Sequence, residues 1–433
     1  MQRLLALVIA ASMATAQDRN IVLVLLDDVG VERVACYGLA ADPPATPTFD
    51  RLAAMGVRFT RAWAQPYCSP SRAALLTGRY GYRTGLGKNI EHGQAARGLE
   101  LEEWTLPEVL RAGSKGRIRT AACGKWHLAS FEQGDDHPRD QGFEHASLTM
   151  GNPLTYNGFT KIVDGDEVRI QVYATIDTVN DALAWISTVG EEPWFLYLPL
   201  HAAHAPFHEP PASLHNQELD SDAARHKAAI EAADHEVGRL LATLDPAVRA
   251  LTTVIVLGDN GTPRPAVEPP FVPSHGKGTL FEGSLNIPLI VAGAGVQAEG
   301  AVCDALVSTV DLLPTVAELF GMDAHEVLPA DRPMDGRSLM GLLNDPSSEG
   351  PRDLLYAERF EPNHVVDKKR WWVAVRGKRF KLQQNVLTGR DRFFDLVDDP
   401  HEQRDLMGED ELSDEARSAH LRLVAAIKEI TKT

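Results

Sequence analysis

The stretch IVLVLLDD at residues 21–28 decides the fold. Its first six residues are an unbroken, β-branched-rich apolar run, the pattern of a strand buried on both faces, and it ends abruptly in Asp27-Asp28. Two more runs have the same form: TTVIVL at 252–257 ends in Gly258-Asp259-Asn260, and WFLYLPL at 194–200 ends just before His201. Helical patterns lie between them at 47–55, 106–112, 178–189 and 226–244. This alternation predicts an α/β fold with a large central, mostly parallel sheet sandwiched by helices. In such sheets ligands bind beyond the carboxyl ends of the strands, where the Asp, Asn and His residues of the three runs converge.

The texture changes from about residue 345. A linker-like stretch at 346–351 precedes short strand-like runs at 371–375, 380–383 and 392–396, and a helical pattern at 413–430 closes the chain. The expected organisation is a main α/β domain over 17–344 and a smaller subdomain over 345–433, an antiparallel sheet plus helix. Residues 1–16 read as a signal peptide, because Arg3 precedes the apolar run 4–13 and Ala14-Thr15-Ala16 is a small-residue cleavage site. That run is too short to span a bilayer and none downstream is longer, which predicts a periplasmic or secreted protein without a membrane anchor.

The 433 residues carry a formal net charge of -17. So acidic a surface repels nucleic acid and anionic membranes, and it favours a small or sparsely charged substrate over a polyanionic polymer. An anionic substrate then needs a local cluster of positive charge. The four cysteines, Cys36, Cys68, Cys123 and Cys303, have no CxxC spacing and are too few for a disulfide framework, so one of them is free for another task.

Cys68 opens CSPSRAALLTGR at residues 68–79. Pro70 suits a first helical turn and residues 73–76 continue it, which puts position 68 at the positive end of a helix, where an anion is stabilised. Arg72 lies about one turn further on, so its guanidinium can return to the same face and meet both residue 68 and an oxygen of an anion bound there. Asp27, Asp28, Asp259 and Asn260 together offer three carboxylates and an amide, hard oxygen donors that suit Ca²⁺ first and Mg²⁺ second.

The 68–79 segment closely resembles the sulfatase family, whose C-x-P-S-R and L-T-G-R elements are present in full. The resemblance implies that a formylglycine-generating maturation enzyme oxidises Cys68 to formylglycine. It also implies that the Asp27-Asp28 and Asp259-Asn260 pairs bind a divalent ion together with residue 68.

Further segments extend the likeness. CGKWHL at 123–128 resembles the family's G-K-W-H-L element, which makes Lys125 a sulfate contact and His127 a partner of the formylglycine hydroxyl. Two residues apart on a strand, they would share a face. HAAHAP at 201–206 resembles the family's single His before x-Pro, which selects His204, and KGTLFEG at 277–283 resembles K-x-T-x-x-E-G, which makes Lys277 a second sulfate contact. Two departures, Ser284-Leu285-Asn286 and VGVERV at 29–34, spare these residues.

The function implied is hydrolysis of a sulfate ester, with a sulfated small molecule or carbohydrate as substrate. A phosphate or phosphonate ester hydrolase with the same residues, or a binding protein that keeps the fold without turnover, are the competing readings. Rates on matched aryl sulfate and phosphate esters separate the first, and tight binding without hydrolysis by mature protein marks the second.

Overall fold

A computed structural model describes residues 16–90, 97–365 and 367–431. All but the last residue of the expected signal segment lie outside the described residues.

Strands Asn20–Leu26 and Thr252–Gly258 are buried at every position. The Ile21, Leu23 and Leu25 side chains enter the core on one side of the sheet, and Val22, Val24 and Leu26 enter the core on the other. Burying each such side chain contributes about 1.5–3 kcal/mol, so one unbroken apolar run ties both helical layers to the sheet. In space the strands run Ala301–Cys303, Gly56–Phe59, Leu289–Gly293, Thr252–Gly258, Asn20–Leu26, Trp194–Pro199, Arg119–Lys125, His145–Thr149, Phe159–Val163 and Asp166–Ile170. The five from Thr252–Gly258 to His145–Thr149 are mutually parallel. Antiparallel strands flank them at Leu289–Gly293 and Phe159–Val163.

A separate antiparallel sheet of Leu355–Glu361, Arg370–Arg376, Phe380–Asn385 and Asp391–Asp395 follows, with helix Asp414–Ile430 packed on it through Ala416, Ala419, Leu423 and Ile427. Leu355–Glu361 is a strand without a counterpart among the expected runs. This sheet is fused to the rest: Ala74 and Tyr80 share a core with Tyr356, Val373 and Leu382. No helix among the described residues is long and apolar enough to cross a membrane. All four cysteines are free, Cys36 half-buried and the others buried.

Register places the site. Leu26 pairs with Gly258 and Leu25 with Pro199, so the three central strands end level. Backbone bonds continue past their ends, from the Asp259 amide to the Leu26 carbonyl at 3.0 Å and from the Ala203 amide to the Asp27 carbonyl at 2.8 Å. The loops carrying Asp27, His201 to His204, and Asp259 are thereby laced together before any side chain is considered.

Candidate active site

Asp28 takes a left-handed backbone conformation, φ 64°, which Asp tolerates better than most residues. The turn is held by the Asp28 amide, which donates to Asp259 Oδ1 at 3.0 Å, and by His226 Nε2, which donates to the Asp28 carbonyl at 2.9 Å. His226, from helix Asp222–Thr243, is a positioning residue that sequence reading missed. A lone His on a helix that is polar on average carries no signal of its target.

Cys68 is the first residue of helix Cys68–Thr77 and is fully buried. Its Sγ lies 3.5 Å from Asp27 Oδ1, 3.9 Å from Asp28 Oδ1 and 3.1 Å from Lys277 Nζ. Burial, followed by the negative charge of Asp259, pushes the thiol well above its ordinary value, so the unmodified side chain is not a ready thiolate.

Each carboxylate has a cation. Lys125 Nζ meets Asp27 Oδ2 at 2.5 Å, and Lys277 Nζ bonds Asp28 Oδ1. Arg72 donates from Nε and Nη2 to Asp259 Oδ2, at 3.2 and 2.9 Å, and from Nη1 to the Lys125 carbonyl at 2.7 Å. Against their burial, Lys125 holds the Asp27 carboxyl well below the usual range and Lys277 lowers Asp28, whereas burial and the neighbouring Asp27 push Asp259 up to about 6. Arg72 has no exposed surface, and its Nη2 also lies 3.5 Å from Asp27 Oδ2, so one guanidinium bridges two of the carboxylates.

His127 corrects a geometric expectation. Strand Arg119–Lys125 stops at Lys125, and His127 adopts φ 61°, so the two do not share a face through strand alternation. The chain nevertheless turns His127 toward the charges of Lys125, Arg72 and Asp27. Burial, then Lys125 and Arg72, keep its imidazole well below the ordinary value and neutral. Gly124 explains the tight approach of this segment: a Cβ there would meet the Pro199 carbonyl oxygen at 2.0 Å, so only glycine fits between the strands.

His204 and His201 lie in different surroundings. His204 Nε2 lies 3.8 Å from Asp28 Oδ2, and burial holds its pKa below the ordinary value against the pull of Asp28. His201 is buried against Thr149 Oγ1 at 2.9 Å and is lowered to about 3 by burial and Lys125. The Tyr156 hydroxyl donates to the carbonyls of both, at 2.8 and 2.6 Å, and fixes the loop between them.

Donor atoms of Asp27, Asp28, Cys68 and His204 lie within 4.8 Å of one another. Asn260 Nδ2 donates to Asp28 Oδ1 at 2.8 Å, while its Oδ1 is buried without a hydrogen-bond partner among the described residues. An orphaned amide oxygen beside three carboxylates fits a hard divalent cation. The compact cluster includes His204 and not Asp259, whose Oδ1 accepts from the Asp28 amide and whose Oδ2 accepts from Arg72. Three carboxylates against Lys125, Lys277 and Arg72 leave the centre balanced, so a bound cation would make it attractive to an anion.

The chain is similar to known proteins over most of its length. The family described as Sulfatase matches residues 19–322, and that described as N-sulphoglucosamine sulphohydrolase, C-terminal, matches residues 274–429. Arylsulfatase A of Homo sapiens is 32% identical over 419 residues, covering 88% of this chain and 77% of that protein. N-acetylgalactosamine-6-sulfatase of Canis lupus familiaris is 31% identical over 382 residues, covering 78% of this chain and 69% of that protein. Among solved structures, Ps i-CgsB in complex with k-i-k-neocarrahexaose superposes with a TM-score of 0.79 at 24% identity, over 96% of this chain and 92% of that one. BT4656 in complex with its substrate D-glucosamine-2-N,6-O-disulfate gives a TM-score of 0.75 at 20% identity, over 96% and 98%.

Proposed function

The chain belongs to the sulfatase family and is a sulfuric ester hydrolase, and we propose that it acts through formylglycine made from Cys68 beside a divalent cation. The observation that carries this reading is the convergence of Cys68, Asp27, Asp28, Lys125 and Lys277 in one buried centre at the carboxyl ends of parallel strands. Asp27, Asp28, Asp259 and Asn260, with residue 68, would hold the cation, Ca²⁺ or Mg²⁺. Bound there, it would lower the pKa of an attacking hydroxyl and draw charge from the ester oxygens.

Formylglycine, when hydrated, offers one hydroxyl to attack sulfur and a second whose deprotonation expels sulfate, a route closed to a plain Cys or Ser. His127, neutral by burial, is suited to take that proton. Lys125, paired with Asp27, and Lys277, paired with Asp28, would neutralise the sulfate oxygens, and Arg72 holds Asp259 in place. His204 is neutral before substrate binds. An anionic ester beside it favours its protonated form, which can donate to the departing alkoxide oxygen.

The substrate class we propose is a sulfated carbohydrate or small organic sulfate. A sulfated carbohydrate is the named substrate of BT4656. The proposed organisation divides the chain near residue 345, with export directed by residues 1–16. The test is sulfate release from an aryl sulfate compared with phosphate release from the matched aryl phosphate, using matured protein. Faster sulfate release is expected, and a preference for phosphate would replace this reading by the phosphatase alternative.

A further inference from the structure

Two cavities flank the turn at residues 277–279 and share Arg359 and Trp372 in their walls. The first, about 290 Å³, is bordered by Tyr67, the neighbour of Cys68, and by Lys88 and Arg370. One carboxylate, Glu361, stands there between Lys88 at 3.4 Å and Arg370 at 2.9 Å. The second, about 420 Å³, is lined by Arg264, Arg359 and Arg392, and no carboxylate is among the described residues that line it. None of these three arginines forms an ion pair among the described residues.

Their placement is specific. Arg359 Nη1 donates to the Gly278 carbonyl at 2.6 Å, next to Lys277, which joins this wall to the reactive centre. The Arg392 guanidinium lies 5.5 Å from the Phe281 ring and 5.6 Å from the Trp372 ring, so aromatic faces hold it rather than an acid. Three guanidinium groups left without carboxylates in a chain of net charge -17 make a local field opposite to that of the whole surface. Guanidinium forks match sulfate and carboxylate oxygens, and exposed aromatic faces pack against apolar faces of a ligand.

We infer that these two cavities form a second anion subsite, which binds the remainder of an oligosaccharide whose scissile sulfate lies at residue 68 and seats a further sulfate or carboxylate among Arg264, Arg359 and Arg392. The inference rests on the sulfatase reading. It also replaces the expectation, drawn from net charge alone, of a sparsely charged substrate: the acidic surface is interrupted where the substrate enters.

The experiment compares matured wild-type protein with an Arg264→Gln/Arg392→Gln double variant on two disaccharide sulfates. One has no other anion, and the other carries a second sulfate or, in a separate arm, a carboxylate on the neighbouring sugar. Wild type should prefer the doubly anionic substrate in kcat/KM by tenfold or more, and the double variant should lose that preference; the two arms identify the group. Absence of a preference in wild type, or equal loss on both substrates in the variant, would overturn the subsite. If no sulfate ester is turned over, the reactive-centre reading fails separately. Calorimetric affinity of Cys68→Ala protein for the same disaccharides then decides the subsite: at least tenfold weaker binding of the doubly anionic sugar by the double variant supports it, and equal affinity refutes it.

Discussion

Glu358 fastens the C-terminal sheet to the segment that leads into the reactive helix, and its carboxyl is almost wholly buried. It accepts from the Tyr82 amide at 2.6 Å and from Trp371 Nε1 at 3.0 Å, while its own amide donates to Gln65 Oε1 at 3.0 Å. Burial raises it from 4.5 to about 7. The folded protein therefore holds this proton more tightly than the unfolded chain, and stability falls as pH rises from about 4.5 to about 7. At about 1.4 kcal/mol per pH unit, the ionised carboxylate costs about 3 kcal/mol above that window. Glu358→Gln removes the titration while keeping the shape. Urea unfolding of both proteins, followed by tryptophan fluorescence, should show the variant gaining about 3 kcal/mol on wild type between pH 4 and pH 8. A difference between the two proteins that does not change with pH would refute the reasoning.

Lys277→Met removes a positive group placed to face the sulfate and should lower kcat/KM on an aryl sulfate by about 100- to 1000-fold with the fold retained, measured by steady-state kinetics and circular dichroism. Chelation should abolish turnover and added Ca²⁺ or Mg²⁺ restore it, and Asn260→Ala should raise the metal concentration needed for half-maximal activity, read by titration of the apoprotein. His204→Gln should reduce kcat far more for alkyl or sugar sulfates than for aryl sulfates, whose leaving groups need no proton; equal losses would remove His204 from leaving-group protonation.

The central sheet is legible in the sequence because a strand buried on both faces must be apolar throughout, as residues 21–26 and 252–257 are. The polar residues that end those runs then mark the reactive edge. Leu355–Glu361 resists the same reading: Ala357, Glu358 and Arg359 suit a helix as well as a strand, and pairing with Arg370–Arg376 decides between them. Asp166–Ile170 is exposed along nearly its whole length and shows no alternation, so only its partner Phe159–Val163 defines it. Around the site, Cys68, Lys125 and Lys277 are found from motifs. Arg359, Arg392 and Trp372 are not, because a cavity wall drawn from two distant parts of the chain has no spacing to read.

The central claim is that Cys68 is a precursor and not itself the nucleophile. The most direct measurement is the mass of the tryptic peptide spanning residues 62–72, from active protein made in a host that carries the maturation enzyme. Formylglycine exchanges sulfur for oxygen and removes two hydrogens, and the account predicts that mass in active protein, with an inactive thiol form from a host that lacks the enzyme. Full sulfatase activity with an unmodified Cys68 thiol would contradict it.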